Sequence, residues 1–347
     1  MKNFLFTIFV SFLLLGSQSC GKDSDVFVPT NTTIIIKSDT TWQEDLLKIS
    51  DISTAVLAPL NIEKLMSELA ATPTKQDINA ERGGIVVTPD NVTLEFAANS
   101  CVTQNNRPCT GNLNVEVLVL RKKGEFLLNN MPTVSFGRQL VSGGAVSVKV
   151  SQNGQEVKPA RNNLYRVRFQ PATTVDNNMK LFEGKAIGRF QFDWLPIASL
   201  PAQNSPMLKT WTDSTQGRRT SGYELLLDRF SWISCHKLSG DSTAVTNKFC
   251  VALPDSFTNQ NTNVFAVFKD INAVVALTGD GKTKQFCISS AYKGLPIGKA
   301  INIISIATIK DRTYVGKKEA TISANSVIQL LPILTTKAAA KELISNL

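Results

Sequence analysis

Leu113-Asn114-Val115-Glu116-Val117-Leu118-Val119 is the stretch whose pattern decides the fold. Leu113, Val115, Val117 and Val119 recur at every second position, with polar Asn114 and Glu116 between them. Successive side chains of a strand point to opposite faces, so this spacing predicts a strand with one buried face. Val92-Thr93-Leu94-Glu95-Phe96 and Ala145-Val146-Ser147-Val148-Lys149-Val150 repeat the alternation. Asn153-Gly154 follows the latter, the pair favoured where a tight hairpin needs positive φ at both central residues. Tyr165, Val167 and Phe169 then point one way and Arg166 and Arg168 the other. Short alternating strands with turn signals between them predict a β-sandwich over residues 81–173.

Upstream the period is helical. Ile62, Leu65, Met66 and Leu69 fall at i, i+3, i+4 and i+7, with Asn61 as the expected N-cap of a helical segment within 43–80. Downstream, residues 174–347 read as a second β-rich domain. Phe190, Phe192 and Trp194 alternate with Gln191 and Asp193, and apolar runs at 264–268, 271–277, 283–288, 301–309 and 320–322 are separated by turn residues. Residues 338–347 read as a short closing helix. The fold class is thus mainly β: two β-sandwich-like domains, a short N-terminal helical segment and a short C-terminal helix.

The first twenty residues, MKNFLFTIFVSFLLLGSQSC, have a different character. Lys2 precedes an apolar run over 4–15, and Gly16-Ser17-Gln18-Ser19 are the small or polar residues expected before a cleavage site. The run is too short to span a bilayer. Ending on Cys20, it resembles a bacterial lipoprotein signal, with 1–19 removed, Cys20 lipidated and 20–42 serving as a tether. Gln18 departs from the usual small residue there. Two acyl chains already anchor a protein stably. Gly21-Lys22-Asp23-Ser24-Asp25 resembles the export signal of Bacteroidota surface lipoproteins, which makes Lys22 and Asp23 the expected sorting residues and the outer membrane, cell surface included, the expected location.

A wider resemblance rests on three stretches: Gly83-Gly84-Ile85, Pro89-Asp90-Asn91-Val92-Thr93-Leu94 and Thr110-Gly111-Asn112-Leu113-Asn114-Val115. They look like a ZU5-like β-sandwich domain. Met131-Pro132-Thr133, Ser142-Gly143-Gly144, Asn178-Met179-Lys180-Leu181-Phe182, Trp232-Ile233-Ser234-Cys235 and Leu295-Pro296-Ile297-Gly298-Lys299 are similar to uncharacterised Bacteroidota lipoproteins. His236 stands where an acidic residue is expected after Cys235. These are turn and packing positions, so the likeness implies a fold and no catalytic residue. ZU5 domains elsewhere mediate protein contact, but a fold does not by itself carry a function.

Composition narrows the chemistry. Apolar residues make up 43% of the 347, which excludes wholesale disorder. The formal charge of +9 would suit an anionic partner such as a polysaccharide or lipopolysaccharide, yet the basic residues are scattered, and an ordinary solvated basic surface is the expected reading. Arg121-Lys122-Lys123 and Arg218-Arg219 lack a surrounding nucleic-acid motif, so no nucleic-acid partner is expected. Besides Cys20 there are five cysteines. Cys101 and Cys109 flank a polar, turn-rich segment and are expected to close it as a disulfide; Cys235, Cys250 and Cys287 allow at most one further pair. With no CxxC and one histidine, neither a metal site nor a cofactor is expected.

Three short matches to catalytic motifs dissolve on inspection. Residues 276–283 satisfy a relaxed P-loop pattern, but a strand-like run follows where a helix must start, so Asp280-Gly281 reads as a hairpin turn. Ser290-Ala291-Tyr292-Lys293 matches SxxK without its helix or its partner motifs. Cys235 and His236 are strand neighbours and point to opposite faces. Asp39-Thr40-Thr41, Asp213-Ser214-Thr215 and Asp241-Ser242-Thr243 resemble O-glycosylation sites of exported Bacteroidota proteins, with Thr40, Ser214 and Ser242 as acceptors.

The expectation is therefore a non-catalytic envelope lipoprotein, anchored in the membrane and contacting a protein or a polysaccharide. Two alternatives stand beside it: a surface-glycan hydrolase with a carboxylate pair that sequence does not expose, and a purely structural envelope component.

Overall fold

The computed structural model describes residues 40–43, 60–161, 163–188, 191–197, 207–212, 217, 219–240 and 245–347. Cys20, Lys22, Asp23, Ser214 and Ser242 lie outside these residues. Thr40, partly buried, lies within them.

Two sheets form the first unit. One runs Thr74–Asn79, Asn112–Leu120, Arg138–Gln152, Trp232–Leu238, Lys180–Gly188, Gln191–Pro196. The other runs Met207–Thr212, Arg219–Leu227, Tyr165–Phe169, Thr93–Phe96, Gly84–Val87. Leu113, Val115 and Val117 of the deciding stretch enter the core between the sheets, where they join Val146, Val148, Val150, Leu94, Val167 and Phe169. Asn153 and Gly154 turn the hairpin at φ 50° and 80°, the mirror-image turn that their identities favour.

The first sheet is apolar on its other face as well. Leu118 and Leu120 break the alternation of their strand because this end is covered. Leu120, Leu140, Ala145, Phe182 and Trp194 pack with Phe265, Val267, Val274, Ile304 and Ile306 of the second unit. Three helices, Asn61–Leu69, Lys123–Leu128 and Lys337–Ser345, contribute to the same core. Ile62, Leu65, Met66 and Leu69 are the buried face of the first helix, as their spacing requires. Its N-cap is Leu60 rather than Asn61, because the Leu60 N–H donates to the Glu63 carboxylate at 2.7 Å and starts the helix one residue earlier.

The second unit is built on one eight-stranded sheet that begins with Ser326–Gln329 and ends with Ile333–Thr335. Those two edge strands are consecutive in the chain. One pairs with Phe249–Ala252 in parallel and the other with Arg312–Thr321 antiparallel, so a single kinked segment closes the sheet on itself. Leu330 at the kink joins the enclosed core with Phe249, Val251, Phe268, Phe286 and Ile303.

Strand pairing runs across the domain boundary expected at 173/174. Tyr165–Phe169 pairs with Arg219–Leu227, and Arg138–Gln152 pairs with Trp232–Leu238, so the sandwich draws strands from both sides of it. The two units meet instead between 240 and 245. Hydrogen bonds cross their shared core, from Thr133 N–H to Val274 O at 2.8 Å and from Ser142 N–H to Asn272 O at 2.9 Å. A register shift opposite Cys235/His236 leaves Gly143 as an extra residue, which frees the Ser142 backbone for that contact.

The expected Cys101–Cys109 bridge is absent: both are buried free thiols. Burial pushes the Cys101 thiol up to about 11, and neighbouring Cys109 acts in the same direction. The disulfide present is Cys250–Cys287, whose residues lie opposite each other on antiparallel strands. Peptide mass spectrometry of the chain denatured without reductant should find Cys101, Cys109 and Cys235 alkylated, and Cys250 and Cys287 protected until reduction. A Cys101–Cys109 cross-linked peptide would reject this arrangement.

Cys235 and His236 do point to opposite faces. Cys235 lies in the core between the two sheets, while His236, fully buried, meets the rings of Trp194, Phe182 and Phe126 at 4.8, 5.6 and 6.1 Å. Burial lowers its pKa from 6.5 to about 3, against a smaller opposing effect of the Val141 backbone. Between those pH values the unfolded chain binds a proton that the folded chain does not, so stability falls as pH drops through the window. Urea midpoints should decline steadily from near pH 6.5 downward, and His236→Leu should flatten that part of the slope. An unchanged slope in the variant would reassign the acid sensitivity.

Candidate functional site

An open cleft of about 280 Å³ lies where the two units meet. Arg138, Gln139 and Ser239 line it from the first unit, and Val245, Lys293 and Pro296 from the second. The segment that builds its wall is a two-residue hairpin. Val134 pairs with Gln139 and Ser135 with Arg138, leaving Phe136 and Gly137 at the tip.

Both tip residues have positive φ, 46° for Phe136 and 71° for Gly137. Glycine suits its position doubly, because a Cβ there would sit 2.0 Å from the Ala291 carbonyl oxygen. Phenylalanine does not suit its own. A bulky residue at positive φ is a backbone outlier that costs on the order of 1–2 kcal/mol. The fold holds it in place from two sides. The Phe136 N–H donates to both oxygens of Asp193 at 3.1 Å, and the Lys293 N–H donates to Gly137 O at 2.8 Å. Asp193 is itself buried, and burial raises its pKa while the Phe136 and Trp194 amides pull it back down.

The strain is maintained for a ring that packs little. Phe136 is 63% exposed. Val245, which lines the cleft, is exposed as well, and Leu238 and Ile297, chain neighbours of the lining residues Ser239 and Pro296, are exposed too. Within it, both polar atoms of the Gln139 amide are inaccessible to solvent and lack a hydrogen-bond partner. Each such orphan costs about 1–3 kcal/mol, so the amide adds a second local cost beside the strained turn. Strained backbone and an exposed aromatic beside a cleft lined by Arg138 and Lys293 make this the candidate site.

The residues singled out by catalytic patterns are not brought together here. His236 is sealed in aromatic packing, and Ser290–Lys293 form a turn with no helix. Residues 276–283 are the end of Val274–Asp280 and its turn into Gln285–Cys287, a hairpin as read. On the outer face of the second sheet, Glu95 and Glu224 are each paired with Arg166 and Arg168 in a four-charge lattice. Among the described residues, no group of three or more His, Cys, Asp or Glu is placed to hold a metal ion. Comparison with protein-family models, curated proteins and solved structures finds no match to this chain.

Phe136 and Gln139 went unread in the sequence. Their one signal is Phe136-Gly137 standing where a tight hairpin would ordinarily take Asn-Gly. Phe136→Asn should therefore raise the unfolding free energy, by about 1 kcal/mol, since asparagine tolerates this conformation. Urea denaturation checks it, and a loss of stability would mean the ring contributes packing and the turn is unstrained.

Proposed function

We propose that this chain is a non-catalytic cell-envelope lipoprotein, anchored through Cys20, whose inter-unit cleft contacts an acidic polysaccharide. The observation that carries the reading is the strained, exposed Phe136 at the tip of a hairpin whose Gly137 lines the cleft together with the exposed Lys293. An exposed ring offers a platform for the apolar face of a sugar. The exposed Lys293 suits carboxylate or sulfate substituents. Cys20 supplies the location, with Lys22 and Asp23 as the export signal to the outer membrane surface. The ZU5-like resemblance adds the prior of a contact module.

A hydrolase reading needs two carboxyls facing one cleft. Asp193 has a raised pKa and lies beneath the Phe136 hairpin, yet its oxygens are taken by backbone amides. Its role is to position the turn.

Titration of the mature chain with uronate-containing and neutral oligosaccharides of equal length tests the proposal. Binding should favour the acidic series and weaken with salt. Phe136→Ala should weaken it about tenfold or more, by the burial one aromatic contributes. Lys293→Gln should reduce the preference for the acidic series. Equal affinity for both series, or affinity that ignores these two substitutions, would remove the cleft from the function.

A further inference from the structure

Thr258, Asn259, Gln260, Asn261 and Thr262 are five consecutive polar residues, and all five are buried in the second unit. Burying polar side chains is costly unless their groups are paired, so such a run must be a hydrogen-bonded framework. Part of that framework is internal to the unit. Asn261 Oδ1 accepts from the Thr258 N–H at 2.9 Å and from the Thr262 hydroxyl at 2.6 Å, and its Nδ2 donates to Ser256 O at 2.9 Å. The Thr308 N–H donates to Asn261 O at 2.9 Å. These bonds fix the loop within the second unit.

The side chains of Asn259 and Gln260 are spent on a segment far away in sequence. Asn259 accepts from the Gln43 N–H at 3.1 Å and donates to Gln43 O at 2.7 Å. One side-chain amide thus takes both backbone groups of a single residue, as a residue of a neighbouring strand would. The Gln260 side chain donates to Thr41 O. Between them the Trp42 ring lies 5.2 Å from that of Phe286 and packs against the side of the core. Gly279 makes the room, since an added Cβ would stand 2.5 Å from the Asn259 Cβ and 3.1 Å from the Trp42 ring. Among the described residues, hydrogen bonds reach only the backbone of Thr41 and Gln43, and residues 40–43 belong to no strand or helix. Asn259, Gly279 and Phe286 also line a cavity of about 50 Å³ that shares no residue with the cleft beside Phe136.

We propose that Asn259, Gln260, Gly279 and Phe286 form a recognition site for an extended peptide with a central aromatic side chain. Residues 41–43 are its resident ligand, released without unfolding of either unit. Contacts to the peptide backbone give affinity that tolerates many sequences, and the ring pocket supplies the selectivity. The loop carries its own bonds, so the site persists when the segment leaves. Covalent connection presents the segment at an effective concentration on the order of millimolar, which fills a site of modest affinity. A competing peptide has to overcome that advantage. The inference depends neither on the polysaccharide reading of the other cleft nor on a lipid at Cys20.

The test uses the mature chain carrying Trp42→Ala and Gln43→Pro together, which removes the ring and the Gln43 N–H and so clears the site. A labelled peptide of residues 39–45 is titrated against it by fluorescence anisotropy. The variant should bind the peptide about tenfold more tightly than the unaltered chain, whose own segment competes. Trp42→Ala in the peptide, and separately N-methylation of its Gln43 amide, should each weaken binding about tenfold or more. Asn259→Ala added to the variant chain should have a similar effect, because the Asn259 side chain takes no part in the loop's own bonds. The far-UV circular dichroism of each variant should match that of the unaltered chain. A folded variant that does not bind the peptide overturns the proposal, as do equal affinities of the two chains or binding indifferent to N-methylation. Loss of the native spectrum in the Trp42→Ala, Gln43→Pro chain would overturn it too, since residues 41–43 would then be part of the core and not a ligand.

Discussion

Burial of the first sheet on both faces is the constraint from which the rest of the structure follows. One face meets the second sheet through Val146, Val148 and Val150, and the other meets the helices and the second unit through Leu140 and Ala145. All five lie on the single strand Arg138–Gln152. A sheet apolar on both sides needs cover on both sides, and here one cover is the rest of the sandwich and the other is the second unit. Helices Asn61–Leu69 and Lys337–Ser345 come from opposite ends of the described chain and enter the same layer. The units are therefore layers of one packed stack, joined by a core instead of a linker.

That constraint also explains what the sequence made legible and what it did not. Alternation in 113–119, 145–150 and 165–169 located strands and assigned their faces, because each has one polar and one apolar side over most of its length. Thr74–Asn79 escaped notice since only Ile78 in it is buried, and a strand with so little core contact has no period to read. Ser326–Gln329 and Ile333–Thr335 escaped for the opposite reason: Leu330, Leu331, Ile333 and Leu334 crowd together around Pro332 with no alternation at all. The boundary at 173/174 failed because the partners of Tyr165–Phe169 and Arg138–Gln152 lie dozens of residues downstream. Spacing along the chain says nothing about such pairings. Of the candidate site, the two cations and the glycine were visible as letters. Their convergence and the backbone of Phe136 were not, since both arise from contacts between the units.

The site and the core place opposite demands on the chain. Asp193, Trp194 and Pro132 link them: the Trp194 indole N–H donates to Pro132 O at 3.1 Å within the shared core, while Asp193 beside it holds the Phe136 amide. One face of the strand Gln191–Pro196 thus seals the interior and the other supports a strained turn at the surface. An unfavourable local geometry persists where well-packed surroundings leave it no route to relax.

Closure of the second unit by residues 326–335 has a kinetic consequence. Along the chain the first strand of this sheet is Phe249–Ala252, yet the segment that pairs with its two outer strands, residues 326–335, is the last to be made. Until that end is available, a partly made second unit presents two open strand edges and an uncovered interior, the kind of surface that invites pairing with other chains. Contacts of such long sequence separation also form slowly. A nascent chain stalled short of residue 326 would thus be a sticky species, and shielding it during synthesis becomes a requirement written into the topology.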